Sequence, residues 1–219
     1  MNNLKKKFTA VIFDMDGVIT NTMPYHFDAW LEALSSVGIK VNCYDVYLRE
    51  GQDGLSTIKE LFKKQKQKLD LKLAKEILLK KENLFKTSVR VRFIKGARPF
   101  LRYLKKRGFR LALVTGTSRH EVKRIIQKKL LDIFDISVTG DEVKKGKPNP
   151  EPFLKALKKL KVSSKEAMVI ENAPFGIQAA KRAGIFCVAL ETSLPKKYLA
   201  GANLIFKSIS ELKDKIFGE

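Results

Sequence analysis

Four short stretches of this sequence carry residue types able to do chemistry; three directly follow an apolar run and the fourth precedes a helical pattern. Asp14-Met15-Asp16-Gly17-Val18 follows Ala10-Val11-Ile12-Phe13 directly. Two carboxylates two residues apart at the end of a buried strand are costly unless a cation or a reaction needs them. A calcium loop of the EF-hand kind does not fit, because it needs Gly sixth and Glu twelfth, and Gly17 is fourth. Thr115-Gly116-Thr117-Ser118 follows the second run, Leu111-Ala112-Leu113-Val114. Small hydroxyl residues and a glycine at a strand-to-helix junction present backbone N–H groups and a helix dipole to an anion. A plain N-cap at Thr117 or Ser118 is the competing reading. Lys147-Pro148-Asn149-Pro150 offers an ammonium on a backbone that proline restricts, with Lys144 and Lys145 as other candidates. Glu171-Asn172 follows a run ending at Ile170, again an acidic residue at a buried strand end.

Such residues need a scaffold that brings strand ends together. The runs Thr9 to Phe13, Arg110 to Thr115, Ala167 to Ile170 and Phe186 to Leu190 are short, apolar on both faces and separated by helical patterns. That is the signature of a parallel sheet covered on both sides. The intervening helices show apolar residues at three- and four-residue spacing, as at Phe100, Leu101 and Leu104, and at Phe153, Leu154, Leu157 and Leu160. Between about Thr22 and Phe93 the pattern is helical with no convincing buried strand. Its stripes are Leu31, Leu34 and Val37; Leu55, Ile58, Leu61 and Phe62; and Leu71, Ala74, Leu78 and Phe85. This predicts an α/β core of residues 1–21 and 94–219 with an all-helical insert over 22–93. In an open α/β sheet, ligands bind outside the carboxyl ends of the strands, where the four chemical stretches lie.

The 219 residues suffice for one α/β domain plus a smaller insert, and an apolar fraction of 44% is too high for a disordered chain. No stretch of 18 apolar residues is present, so no membrane span is expected. Met1 to Lys7 end in three lysines, and Asp14 interrupts the apolar run that follows before it could serve as a signal peptide, which predicts a cytoplasmic protein. Cys43 and Cys187 lie far apart in unlike segments, as idle thiols would. The net charge is +21. Such a field attracts anions, and nucleic acid is one partner it could draw. The lysines are dispersed over helices, as at Lys63 to Lys68, without interleaved aromatic stacking platforms, so no specific nucleic acid is expected.

Asp-x-Asp, Thr, Lys and Glu-Asn therefore follow one another in that order at strand ends and helix starts. The combination resembles the haloacid dehalogenase superfamily of phosphotransferases across essentially the whole chain, with the helical insert similar to its mobile cap. Asp14 to Thr22 with Tyr25-His26-Phe27 and Trp30, and Gly146-Lys147-Pro148-Asn149-Pro150-Glu151-Pro152, resemble its β-phosphoglucomutase branch. Val169-Ile170-Glu171-Asn172-Ala173-Pro174 with Gly176 is similar to phosphatases of that branch, including a group of inorganic pyrophosphatases. The commonest form of this last motif is Glu-Asp. Asparagine here offers a cation a carbonyl oxygen without charge, and whether Glu171 or Asn172 is the direct ligand stays open.

The resemblance implies a Rossmann-like core and a small anionic phosphorylated substrate or pyrophosphate, hydrolysed with Mg2+; a monomer is expected. In that scheme Asp14 attacks phosphorus and becomes an aspartyl phosphate, while Asp16 gives and then takes the proton. Mg2+ would meet Asp14, the Asp16 carbonyl and Glu171 or Asn172. Thr115, Gly116 and Thr117 would hold the transferred oxygens, Lys147 would offset the carboxylates, and His26 would take part in cap closure, although a lone helical His is more often structural. A sugar-phosphate mutase shares this chemistry and is the alternative; a basic nucleic-acid-binding protein is the alternative from another class. Mutases of the branch usually carry a Lys just before a cap glycine and an Arg shortly after it. Glu50 stands before Gly51, and no Arg lies between Gln52 and Ile58, which predicts hydrolysis. Arg119 could still receive a distal phosphate from the core side.

Overall fold

The computed structural model describes residues 8–218. The expectations for Met1 to Lys7 lie outside the described residues. Six parallel strands form one sheet in the order β3-β2-β1-β4-β5-β6, with β1 Ala10–Phe13, β2 Arg110–Val114, β3 Ile136–Val138, β4 Ala167–Glu171, β5 Phe186–Leu190 and β6 Leu204–Phe206. This is the doubly wound order of a Rossmann-like fold, in which the direction of winding reverses between β1 and β4. Phe13 lies beside Leu113 on one side and Ile170 on the other, so these three strands end level. Four of the strands coincide with the apolar runs. The edge strands β3 and β6 have three residues each and were not legible as runs.

Strand side chains alternate between two covered faces, which explains why the runs are continuously apolar. Val11, Phe13, Leu111, Leu113, Met168 and Ile170 face one layer, where Phe100, Leu101 and Leu104 of α5 (Ala97–Lys106) and Val122 and Ile125 of α6 (Arg119–Ile125) cover them. Ala10, Ile12, Ala112, Val114, Ala167 and Val169 face the other. They meet Phe153, Ala156, Leu157 and Leu160 of α8 (Glu151–Leu160) and Ile177, Ala179 and Ala180 of α9 (Pro174–Arg182). The small alanines of β1, β2 and β4 on this face leave room for the buried Phe153 ring. The short helices α7 (Lys128–Leu131) and α10 (Ile209–Leu212) complete the core helices.

Between β1 and α5 the chain forms four helices: α1 Met23–Ser35, α2 Cys43–Tyr47, α3 Gly54–Lys64 and α4 Leu71–Ser88. They bury their own apolar cluster, with Trp30, Ala33 and Leu34 of α1, Val46 of α2, Ile58, Leu61 and Phe62 of α3, and Ala74 and Ile77 of α4. Asp53 and Asp70 cap α3 and α4, accepting from Ser56 N at 2.9 Å and Leu73 N at 2.8 Å. At the root of this unit the entering and leaving chains run side by side: Thr20 bridges Phe93 antiparallel, Asn21 N donates to Arg92 O at 2.7 Å, and Ile94 N to Ile19 O at 3.0 Å. Leu31, Val37 and Leu71 belong to the apolar stripes yet are exposed. Among the described residues no helix is long and apolar enough to cross a membrane.

Candidate active site

The level ends of β1 and β4, at the reversal point of the sheet, place Asp14 beside Glu171 and Asn172. Asp14 N continues the ladder by donating to Ile170 O at 3.0 Å, which sets its side chain at the mouth of the crevice. Of the three candidate lysines, Lys147 is the one whose ammonium is buried there. Its Nζ donates to Asp14 Oδ1 at 2.5 Å and to Glu171 Oε1 at 2.6 Å. Glu171 Oε2 accepts from Asn172 N at 2.8 Å and Ala173 N at 3.2 Å, so both of its oxygens are engaged. Burial pushes the Asp14 carboxyl well above the usual aspartate range; Lys147 opposes this, and the charges of Glu171 and Asp16 add to it. Burial also works against the Lys147 ammonium, but the two carboxylates more than offset it and hold its pKa above that of an ordinary lysine.

Asp16 faces a different set of partners. Its Oδ1 accepts from Thr22 Oγ1 and lies 3.4 Å from His26 Nε2, and its Oδ2 accepts from Thr117 Oγ1 at 3.3 Å and Thr115 Oγ1 at 3.4 Å. Burial raises its pKa, yet the imidazole of His26 and the hydroxyls of Thr22 and Thr117 outweigh that and hold it below the usual value. His26 stacks on Phe85 with centroids 4.0 Å apart, and Lys81 Nζ lies 3.2 Å from its Nδ1. A lysine donating to Nδ1 leaves the Nε2 proton for Asp16. Lys81 also sits over the rings of Trp30 and Phe85, at 5.3 and 5.2 Å. Of the two readings of the Thr115 stretch, the N-cap is formed, at Ser118. Ser118 is the N-cap of α6, accepting from Glu121 N at 3.4 Å, while Thr115 and Thr117 turn to Asp16. Thr117 N is spent on Thr115 Oγ1 at 3.1 Å.

A cavity of about 480 Å³ separates the helical unit from the strand ends, lined by His26, Glu50, Gly51, Lys81, Gly116 and Thr117 among others. A smaller one of about 90 Å³ lies between Gly51, Thr115, Gly116, Gly146 and Lys147. Gly51 has φ +81° and packs on Lys147, whose Cδ would lie 2.6 Å from a Cβ placed there. Glu50 is half-buried at the cavity wall. Burial raises its pKa and Asp16 adds to that, against the pull of His26, Lys81 and Lys147. The structure does not bring Arg119 to this cavity; its guanidinium pairs with Glu142, and it lines a separate groove. The loop after β5 contributes residues that the sequence reading passed over: Thr192 Oγ1 donates to Gly17 O at 2.5 Å, and Ser193 Oγ accepts from Asn172 Nδ2 at 2.8 Å. Applying the strand-end rule to β5 would have found them.

Two observations bear on a cation. Asp14, Asp16 and Glu171 gather three carboxyl groups around the ammonium of Lys147 in a buried cluster, so ionising all three calls for further positive charge. Asp14 Oδ2 and Asn172 Oδ1 are buried without a hydrogen-bond partner among the described residues, and such atoms are uncommon unless something unseen binds them. The described residues hold no group of three His, Cys, Asp or Glu side chains arranged as metal ligands. Glu171 is spent on Lys147 and backbone, and Asp16 on hydroxyls and His26, so the donors on offer are a carboxylate and an amide oxygen. That hard, oxygen-only set suits Mg2+. Lys147→Ala should strand Asp14 and Glu171 as uncompensated buried charges and cost about 3–5 kcal/mol of stability in denaturant unfolding. Adding Asp14→Asn should recover part of that loss.

A family model described as haloacid dehalogenase-like hydrolase matches residues 8–184. A phosphorylated carbohydrates phosphatase of Thermotoga maritima is 35% identical over 184 residues, covering 80% of this chain and 82% of its own. A beta-phosphoglucomutase of Bacillus subtilis is 30% identical over 219 residues, covering 96% and 94%. Among solved structures, a Bacteroides vulgatus protein provisionally named a beta-phosphoglucomutase superposes with a TM-score of 0.87 at 33% identity, over 97% of this chain and 88% of that one.

Proposed function

The chain belongs to the haloacid dehalogenase-like hydrolases, and from that membership we propose that it is a magnesium-dependent phosphatase of small phosphorylated metabolites or pyrophosphate, working through an aspartyl phosphate on Asp14. The observation that carries this is the pair of buried oxygens without a hydrogen-bond partner among the described residues, Asp14 Oδ2 and Asn172 Oδ1, beside a lysine that bridges Asp14 and Glu171. Asp14, the Asp16 carbonyl and Asn172 would hold Mg2+; Asn172 is preferred to Glu171 because both Glu171 oxygens are occupied. When bound, the ion neutralises charge on the transferring phosphoryl group. Lys147 fixes the Asp14 carboxylate at the strand end and so aims it for attack on phosphorus. Thr115 and the Gly116 backbone face the transferred oxygens, and Asp16 moves the proton at the leaving and then the attacking oxygen. We read residues 22–93 as a cap on a core of 1–21 and 94–219, with Gly51 and His26 reaching across to exclude water while the phosphoenzyme forms.

Hydrolysis is preferred to mutase chemistry because, among the described residues, Arg49 and Arg119 are tied to carboxylates and the Lys81 ammonium on the cavity wall is turned to His26. Arg119 is committed to Glu142 and Arg49 to Glu60, while Glu50 occupies the cavity wall. A carboxylate there repels a distal phosphate and favours a compact or metal-bearing anion. Incubating the protein with phosphate esters and pyrophosphate should release phosphate with Mg2+ and none with chelator. Rapid conversion of β-glucose 1-phosphate plus a trace of bisphosphate to glucose 6-phosphate, with little free phosphate, would establish the mutase instead. Glu50→Lys should shift the profile away from pyrophosphate and toward sugar phosphates; an unchanged profile would remove Glu50 as the selector.

A further inference from the structure

After β5 ends at Leu190, the chain runs Glu191-Thr192-Ser193 back toward the first and fourth strand ends. Asn172 is fully buried there, and its amide has two unlike ends. Nδ2 donates to Ser193 Oγ at 2.8 Å, while Oδ1 has no partner among the described residues. Gly17 forms the wall behind this pair. At φ +88° it lies so close that an added Cβ would come within 2.1 Å of Asn172 Nδ2 and 2.6 Å of Ser193 Oγ. Thr192 holds that wall in place through its 2.5 Å bond to the Gly17 carbonyl.

We propose that Ser193 is a positioning residue that fixes which end of the Asn172 amide is offered to the divalent cation. An NH2 group cannot ligate a cation, so a half-turn of the amide would replace a ligand with a repelling dipole. Ser193 gives Nδ2 a buried acceptor and so favours the orientation that leaves Oδ1 free. Without it, keeping Oδ1 on the cation leaves an N–H unsatisfied in a dry site. A carboxylate at position 172 would have no such need, since its two oxygens are alike. The inference rests on the reading of Asn172 as an oxygen donor to Mg2+.

The test is calorimetric titration of Mg2+ into the full chain, with the thermal midpoint of the metal-free protein reporting on the fold. Ser193→Ala should weaken Mg2+ binding about tenfold, the size of one lost buried hydrogen bond. Ser193→Thr, which keeps the hydroxyl, should restore it. In an Asn172→Asp background, Ser193→Ala should change the affinity less than about twofold, because no amide remains to be oriented. An equal loss in both backgrounds would show that Ser193 acts through the loop and not the amide, and an unchanged affinity in Ser193→Ala would show that it does not act at all; either overturns the proposal. Undiminished affinity in Asn172→Ala would instead remove the ligand reading beneath it, an outcome distinct from the other two.

Discussion

Asp14→Asn should abolish turnover, with a loss of at least about 10⁴-fold, while the protein stays folded. The change is nearly isosteric, and Lys147 keeps Glu171 as a partner, so nothing is stranded in the way that loss of the lysine strands two carboxylates. Burial already raises the Asp14 pKa, so the neutral amide removes a charge that the fold holds at a cost. The folded state should therefore be as stable as the wild type, or more so, in thermal unfolding without metal. What is lost is chemical: an amide cannot attack phosphorus, and the free Oδ2 position no longer carries charge for a cation. Turnover within tenfold of the wild type would exclude Asp14 as the nucleophile.

Asp16→Ala should lower steady-state turnover by at least about a hundredfold, the contribution expected of a positioned acid–base group. The loss should depend on the leaving group. A nitrophenolate departs without a proton, so with nitrophenyl phosphate the first step should survive and hydrolysis of the phosphoenzyme should be crippled. Rapid mixing should then show a burst of nitrophenol followed by slow turnover. The surroundings of Asp16 favour its ionised form through His26, Thr22 and Thr117, which suits the second step, where it takes a proton from water. Loss of Asp16 also leaves Thr115 and Thr117 without their carboxylate acceptor, so some of the effect will be in phosphate binding. Undiminished steady-state rates would remove Asp16 from the proton transfer.

Much of this site was legible in the sequence because each residue is announced by its own strand. Asp14 ends the run Ala10 to Phe13 and Glu171 ends β4, and a carboxylate at the end of a doubly covered strand is conspicuous wherever it occurs. Lys147 stood out less, since Lys144 and Lys145 flank it; only the fold shows which of the three ammonium groups is buried. The partners that set orientation left no local mark. Lys81 meets His26 across 55 positions and Ser193 meets Asn172 across 21, contacts made by helix packing and by the return of a loop. Thr22 falls within the first motif, yet its bond to Asp16 depends on the turn in which Thr20 donates to Met15 O at 3.1 Å. The edge strands escaped notice for a simpler reason. Ile136-Ser137-Val138 and Leu204-Ile205-Phe206 are too short for periodicity to register, and each has a neighbour on one side only. Apolar spacing also misled in places: Leu154 and Leu71 fit their stripes but are exposed, because a stripe at three- and four-residue spacing is broader than the face a neighbour covers.

Phosphorus is expected to pass through a covalent bond to one side chain, Asp14. Acid-quenching the wild-type enzyme during turnover of radiolabelled substrate with Mg2+, then mapping the labelled peptide, tests it directly. A hydroxylamine-sensitive label on the peptide containing Asp14, absent with chelator and absent in Asp14→Asn, is the predicted result. Full turnover with no label at any quench time, or a label on a peptide lacking Asp14, would contradict it.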